Sequence, residues 1–390
     1  MTAKVTSIVG ARSRARRRDG EVLVARRIVT LLVVPMGVLL VVGLGAILSA
    51  SSVPALADFD DSLYYFRRQL LWVSVGTVAM VIAIKVPYRA YRQAAPAILV
   101  TSALSLVAVL MFGVVRGGSR SWLEIGPITI QPSEFAKFAV VVFLSMVMAR
   151  KRELLMDFAH FFWPVAASLG LIGGLTILQP DLGTTIIIAA GALAVLVASE
   201  APFRFVAGSA AGGGLAALLL AMAADYRWDR VTGFMDPFSD PLGTGFQGVQ
   251  SLFALGTGGF FGVGLGASRA RWEFLPNAHT DFIYAIIGEE TGLVGAGAVL
   301  LLLAVFTMAG VAVAIRARDD FGRMLATGIV AWLAVQSIVN LGGVTAILPI
   351  TGLPLPFVSF GGSALVVEMA AVGVLINIAR RDTSTNRQRP

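Results

Sequence analysis

The stretch FIYAIIGEETGLVGAGAVLLLLAVFTMAGVAVAI, residues 282–315, decides the fold. Its only charged residues are Glu289 and Glu290, and nothing ionisable follows until Arg316. A hydrocarbon core about 30 Å thick is crossed by about 20 apolar residues at 1.5 Å each. This run is longer than one crossing needs, so the helix is expected to tilt or to extend beyond the bilayer.

Working outward, comparable runs occupy 28–49, 66–86, 94–115, 132–149, 161–179, 183–199, 203–224, 322–345 and 356–379. The expected fold is an all-α integral membrane protein of about ten transmembrane helices. Composition agrees: 57% of the 390 residues are hydrophobic and only 14% charged, which excludes one large soluble core. Glycine, at 42 residues, is frequent as in membrane helices. The absence of cysteine removes disulfides, thiolate metal sites and cysteine nucleophiles, and two histidines are too few for a multi-histidine metal cage.

The connections alternate in charge. One set is basic: Arg12 to Arg27 in the tail, Lys85 with Arg89 and Arg92, Arg150 to Arg152, Arg204, Arg316 to Arg323, and Arg380 onward. The other is acidic or mixed: Asp58 to Asp61, 116–131, Asp181, 225–281 and 346–355. The positive-inside rule places the first set and both termini in the cytoplasm, which an even number of spans satisfies. The net charge of +8 thus reads as topology and contact with anionic lipid, not as nucleic-acid binding. The expected organisation is a basic cytoplasmic tail over 1–27, one membrane domain over 28–380 and a cytoplasmic tail over 381–390. The polar, Arg/Ser/Thr-rich ends are expected to be disordered.

Polar groups beside the spans carry the functional signal, because each is costly in lipid unless paired or hydrated. Gln131-Pro132-Ser133-Glu134 opens the fourth span, with proline suited to a first helical turn. Glu134 and Lys137, three apart, share a helix face and can pair, either as a structural lock or as the lining of a site. Gln179-Pro180-Asp181 reads as a tight turn with Asp181 capping the next helix. The 225–281 loop is long enough to suggest function. It holds Trp228, Phe234, Asp225, Asp229, Asp236 and Asp240, then a short amphipathic helix near 247–255 and a Gly-rich segment, re-entrant or interfacial. It closes on Arg271 and His279-Thr280-Asp281 at the start of the eighth span. Thr280 or Asp281 is either an N-cap or, in the case of Asp281, a base kept ionised by the helix N-terminus. Gly288 and Gly292 on the same face form either a close packing surface or the floor of a lipid groove.

Several of these stretches resemble the SEDS family (shape, elongation, division, sporulation), the polytopic peptidoglycan glycosyltransferases of bacteria. The matching segments are Ser49-Ala50-Ser51-Ser52, Ile130 to Lys137, Gln179 to Thr184, Gln250-Ser251 with the glycines after it, Phe274 to Ile283 with Gly288-Glu289-Glu290, and Leu353 to Ser363. They run in family order across nearly the whole chain, and resemble the division type more than the elongation type, with a sporulation paralogue as the alternative. Two departures stand out: an Arg-Trp pair is replaced by Arg120-Ser121-Trp122, and the final motif ends Ser359-Phe360-Gly361-Gly362-Ser363-Ala364 with two hydroxyls fewer.

The resemblance implies polymerisation of lipid II at the outer membrane face, with Asp281 as catalytic base. It also implies substrate-binding or supporting roles for Glu134, Lys137, Gln131, Ser133, Arg120, Asp181, His279, Thr280, Arg271, Ser359 and Ser363. Lys137, Arg120, Arg269 and Arg271 are the available cations for the leaving diphosphate, and a divalent ion, magnesium or manganese, is another. Expected partners are a class B penicillin-binding protein, other division proteins and membrane lipid, with no nucleic acid. The rivals are a lipid II flippase, which needs midplane polar residues such as Gln336, Asn340 and Glu368, and a non-catalytic division scaffold.

Overall fold

The structure, a computed structural model, describes residues 2–116, 118–126, 128–223, 228, 233–269, 275–276 and 278–384. Its helices are α1 (Thr2–Phe59), α2 (Tyr64–Lys85), α3 (Tyr88–Phe112), α4 (Pro132–Arg150), α5 (Phe158–Leu178), α6 (Leu182–Ala198), α7 (Phe203–Met222), α8 (Phe246–Gly258), α9 (Ile283–Arg316), α10 (Asp320–Val344) and α11 (Ser363–Ser384). Among the described residues nine helices are long and apolar enough to cross a membrane, and α6, at 17 residues, is a shorter tenth. α8 is the short amphipathic helix expected in the long loop.

Several expectations are corrected. The N-terminal tail is helical from Thr2, continuous with the first span. The segment expected as the 116–131 loop folds as a three-stranded antiparallel sheet of β1 (Val114–Arg116), β2 (Ser119–Ile125) and β3 (Ile128–Ile130), and α3 stops at Phe112 to release β1. The last span begins at Ser363, not near 356, because the backbone from Leu353 to Gly362 is bonded to other parts of the chain. The long eighth run is not one continuous rod: it breaks at Gly292 (φ 67°, ψ −165°).

α4, α10 and α11 are the enclosed helices, whereas α7 meets the bundle chiefly through α6 and α5 and exposes Leu215, Leu218 and Leu219. Exposed Val78, Ile82, Leu104, Met111 and Leu301 face outward as lipid-contacting side chains do. α4, α6 and α10 approach closely at Gly328, where a Cβ would lie 2.5 Å from Val141 and 2.7 Å from Val195.

The two sets of connections separate to opposite ends of the bundle. At one end Arg152 pairs with Glu200 at 2.7 Å and Asp320 at 2.9 Å, and Arg323 closes the ring to the same two acids at 2.8 and 3.1 Å. These guanidinium groups, Arg323 first, hold the Glu200 carboxyl below its usual range. Tyr88 and Arg89 reach Asp319, which caps α10, at the same end. The starts of α2, α4, α6 and α9 gather at the other.

Candidate functional site

Gln131 precedes α4 with Pro132 in its first turn. The Gln131 backbone N–H donates to Ser363 Oγ at 3.0 Å, joining the starts of α4 and α11. Asp181 is the N-cap of α6, as the sequence suggested, accepting from Thr184 N at 3.0 Å. Its second oxygen accepts from Gln131 Nε2 at 3.2 Å and Ser133 Oγ at 3.3 Å. Two residues on, Gly183 lies against the 351–353 segment, where a Cβ would be 2.9 Å from Thr351 O.

That segment faces Asp281. A Cβ on Gly352 (φ 72°) would sit 3.6 Å from Asp281 Oδ2, so this turn supplies the wall beside the carboxylate. Asn340 Nδ2 donates to both Asp281 O, at 2.8 Å, and Leu353 O, at 2.7 Å. Asn340 therefore fixes the Asp281 backbone and the facing loop with one amide. The small pocket so formed, about 10 Å³, is lined by Asp281, Asn340, Gly343, Ile350, Thr351 and Gly352 among others. The cap position of α9 is Phe282, so neither Thr280 nor Asp281 is its N-cap residue.

His279 packs at a tilt against Tyr65, ring centroids 4.5 Å apart, and edge-on against Phe360, at 5.8 Å. Burial depresses its pKa to about 4, so the imidazole is neutral near pH 7. Its carbonyl accepts from Phe360 N at 3.0 Å. Ser359 Oγ accepts from Leu355 N at 2.9 Å, and Gln69 Nε2 donates to Ser359 O at 3.2 Å. Both serines of the last motif thus bond to backbone groups.

Glu134 and Lys137 form a fully enclosed pair, N···O 2.6 Å, with side-chain exposures of 1% and 0%. Lys137 Nζ also donates to Gln336 Oε1 at 2.8 Å, and the same oxygen accepts from Trp332 Nε1 at 3.0 Å. Gln336 Nε2 donates to Pro354 O at 3.0 Å and Glu368 Oε1 at 3.1 Å, while Glu368 Oε2 accepts from Phe357 N at 3.3 Å. This network lies beneath the 354–357 backbone and does not line the Asp281 pocket. The three polar residues a transporter would need near midplane are all engaged in holding loops.

α9 between Ile283 and Glu290 is buried on every side. The break at Gly292 frees the Glu289 and Glu290 carbonyls, which accept from Val263 N at 2.9 Å and Gly264 N at 3.1 Å. Leu293 N and Val294 N donate in return to Gly259 O and Phe260 O at 2.9 and 3.2 Å. The Gly-rich segment is thus a strap that completes the broken helix. Gly288 and Gly292 serve close packing, since Leu255 and the strap backbone occupy the space of their side chains. Glu290 accepts from Ser49, and Glu289 from Ser268 and Arg269 N, anchoring α1 and the strap.

Arg120 lies on β2 and reaches Leu110 O at 3.4 Å. Arg271, Asn277, Asp225 and Asp229 lie outside the described residues. Sequence reasoning missed the loop-holding roles of Asn340, Gln336 and Glu368. The signal was available as polar residues four apart on one face of an apolar span.

Among the described residues nine helices long and apolar enough to cross a membrane, with α6 as a shorter tenth, define a polytopic membrane protein. The FtsW/RodA/SpoVE cell cycle protein family matches residues 29–384, and the chain belongs to that family. It is 41% identical to stage V sporulation protein E of Bacillus subtilis over 90% of this chain and 96% of that protein. It is 38% identical to the probable peptidoglycan glycosyltransferase FtsW of Geobacter metallireducens, over 88% and 92%. A solved chain from a peptidoglycan synthase complex that coordinates polymerization and crosslinking superposes with TM-score 0.73 at 26% identity, over 90% and 97%. The rod shape determining protein RodA of Thermus thermophilus shares the fold at TM-score 0.65 and 24% identity, over 92% and 97%.

Proposed function

We infer that this protein is a peptidoglycan glycosyltransferase that polymerises lipid II at the outer face of the bacterial cytoplasmic membrane. The observation that carries the mechanism is Asp281, half-buried at the mouth of α9, with its backbone carbonyl held by Asn340 and its carboxylate facing the Gly352 turn. In this reading Asp281 takes the proton from the acceptor sugar's 4-hydroxyl. The oxygen forms the new bond to the donor's anomeric carbon, and the bond to undecaprenyl diphosphate breaks with its electron pair leaving on the phosphate.

The developing charge on the diphosphate needs cations. Arg120, Arg269 and Arg271 are the candidates. Lys137, enclosed by Glu134 and Gln336, is assigned to support instead. Among the described residues no cluster of three or more His, Asp or Glu forms a metal site. A magnesium or manganese ion would therefore be held by Asp281 together with the substrate's own phosphates, adding Lewis-acid stabilisation. Gln131, Ser133, Asp181, Ser359 and Ser363 act by fixing the helix starts around the site, and Thr280 and His279 by shaping the approach to Asp281.

Membership of a cell cycle protein family and a relative named for sporulation support a role in septal wall synthesis. The likeness to a synthase-complex chain supports a class B penicillin-binding protein as partner. The test is polymerisation of purified lipid II by detergent-solubilised protein. Asp281→Asn is expected to lower the rate at least about 100-fold with unchanged folding, and near-native polymerisation by that variant removes Asp281 as the base.

A further inference from the structure

Beside the Asp281 pocket lies a cavity of about 300 Å³, between the 233–248 segment and the turn after α10. Gly343 and Ile350 line both spaces. The Asp281 pocket, about 10 Å³, is too small for a sugar ring, whereas the adjoining space is at the small end of ligand-sized cavities.

Its walls are built turns. Asp240 accepts from Gly243 N at 3.0 Å and Thr244 N at 2.8 Å, and a Cβ on Gly245 would be 2.0 Å from Pro237 O. Opposite, Ile347 N and Leu348 N both donate to Gly342 O, at 2.8 and 3.0 Å. The lining combines aromatic Phe234 and the apolar residues Pro237, Leu348 and Ile350 with Gln247 and with Thr244, whose hydroxyl donates to Asp240 at 3.3 Å. Among the described residues no charged side chain lines it. The Gln247 amide makes no hydrogen bond among the described residues.

An aromatic face, aliphatic walls and a free primary amide suit an N-acetylated sugar, whose ring C–H face is apolar and whose acetamide pairs with an amide. We propose that this cavity is the acceptor-sugar subsite, holding an N-acetylhexosamine ring with its acetamide on Gln247 and its 4-hydroxyl directed past Gly343 toward Asp281. The assignment rests on the glycosyltransferase reading.

The test is binding of chitotetraose to the full-length Asp281→Asn protein in detergent, followed by saturation-transfer NMR, with de-N-acetylated chitotetraose as control. The expected result is saturation strongest at the acetyl methyls, affinity at least about tenfold weaker with Gln247→Leu added, a similar loss with Phe234→Ala, and no binding of the de-acetylated sugar. Unchanged affinity in both variants, equal binding of the control, or no binding of chitotetraose at all overturns the subsite. Turnover is not needed for this readout. Wild-type polymerisation with variant-insensitive binding defeats the subsite alone, whereas sugar binding without wild-type polymerisation defeats the enzymatic reading alone.

Discussion

Replacing Lys137 with methionine tests what the buried pair does. Methionine keeps most of the apolar stem, so the change removes charge with little change of volume. Lys137 and Glu134 are 0% and 1% exposed and 2.6 Å apart, so the variant strands a carboxylate with no water to replace its partner. Breaking such a pair from one side costs about 3–5 kcal/mol. Gln336 Oε1 loses one donor but keeps Trp332 Nε1, so that bond adds little. With an unfolding entropy of about 2.1 cal/mol/K per residue across 390 residues, the midpoint falls by about 4–6 °C. Adding Glu134→Gln removes the stranded charge, and the double variant is expected to recover most of the loss, because replacing both ions of a buried pair is often near neutral. Thermal unfolding in detergent supplies the midpoints, and lipid II polymerisation well below them supplies activity. An unchanged midpoint in Lys137→Met refutes the reasoning about burial. A double variant with recovered stability but no polymerisation refutes the supporting role and puts the ammonium back on the substrate.

Asn340→Leu leaves the Asp281 and Leu353 carbonyls without their shared donor, about 1–3 kcal/mol each; kcat is expected to fall more than KM rises, and equal polymerisation rates at saturating lipid II contradict the positioning role. His279 gives an acid-side signature. Its folded pKa, about 4, lies below the ordinary 6.5, so between these values the unfolded chain takes up a proton that the folded chain refuses. Its contribution is intact above about pH 6.5 and is lost as pH falls toward 4, on the order of 3 kcal/mol in all. His279→Phe should therefore flatten the fall in unfolding midpoint between pH 7 and pH 4, and an identical fall in both proteins counts against a buried neutral imidazole.

The spans were legible because a membrane helix declares itself in one variable, apolar length. α4 at Pro132–Arg150 lies within a residue of its sequence reading, and Asp181 caps α6 as its local pattern suggests. The failures share a cause. Leu353 to Phe357 is as apolar as a helix, yet it stays non-helical because its backbone is satisfied from afar: Leu353 O by Asn340, Pro354 O by Gln336, Phe357 N by Glu368. No local window contains those pairs. β2 was read as loop because seven residues of alternating character, Ser119 to Ile125, carry a weak signal beside spans three times as long. At the site, Asp281 and the starts of α4 and α6 were visible as polar residues at helix ends. Whether Glu134 and Lys137 faced a cavity or each other was not, since spacing places them on one face without saying what covers it.

The break in α9 divides so long a helix into a buried post and an ordinary span. From Ile283 to Glu290 every residue is buried, and beyond Gly292 the helix exposes Leu293, Leu300, Leu301, Met308 and Ile315 as an ordinary span does. The first part spans about 12 Å at 1.5 Å per residue, and non-helical backbone flanks it on both sides. The strap over 259–264 bonds to its far end, and the 351–360 segment meets its near end through His279 and Asp281. Such backbone is tolerated at membrane depth only where protein groups satisfy it. Gln336, Asn340 and Glu368 satisfy one segment and the broken helix satisfies the other. Gln336, Asn340 and Glu368, costly to bury, thus have a common task, which is to hold irregular chain around a short rigid post that ends at Asp281.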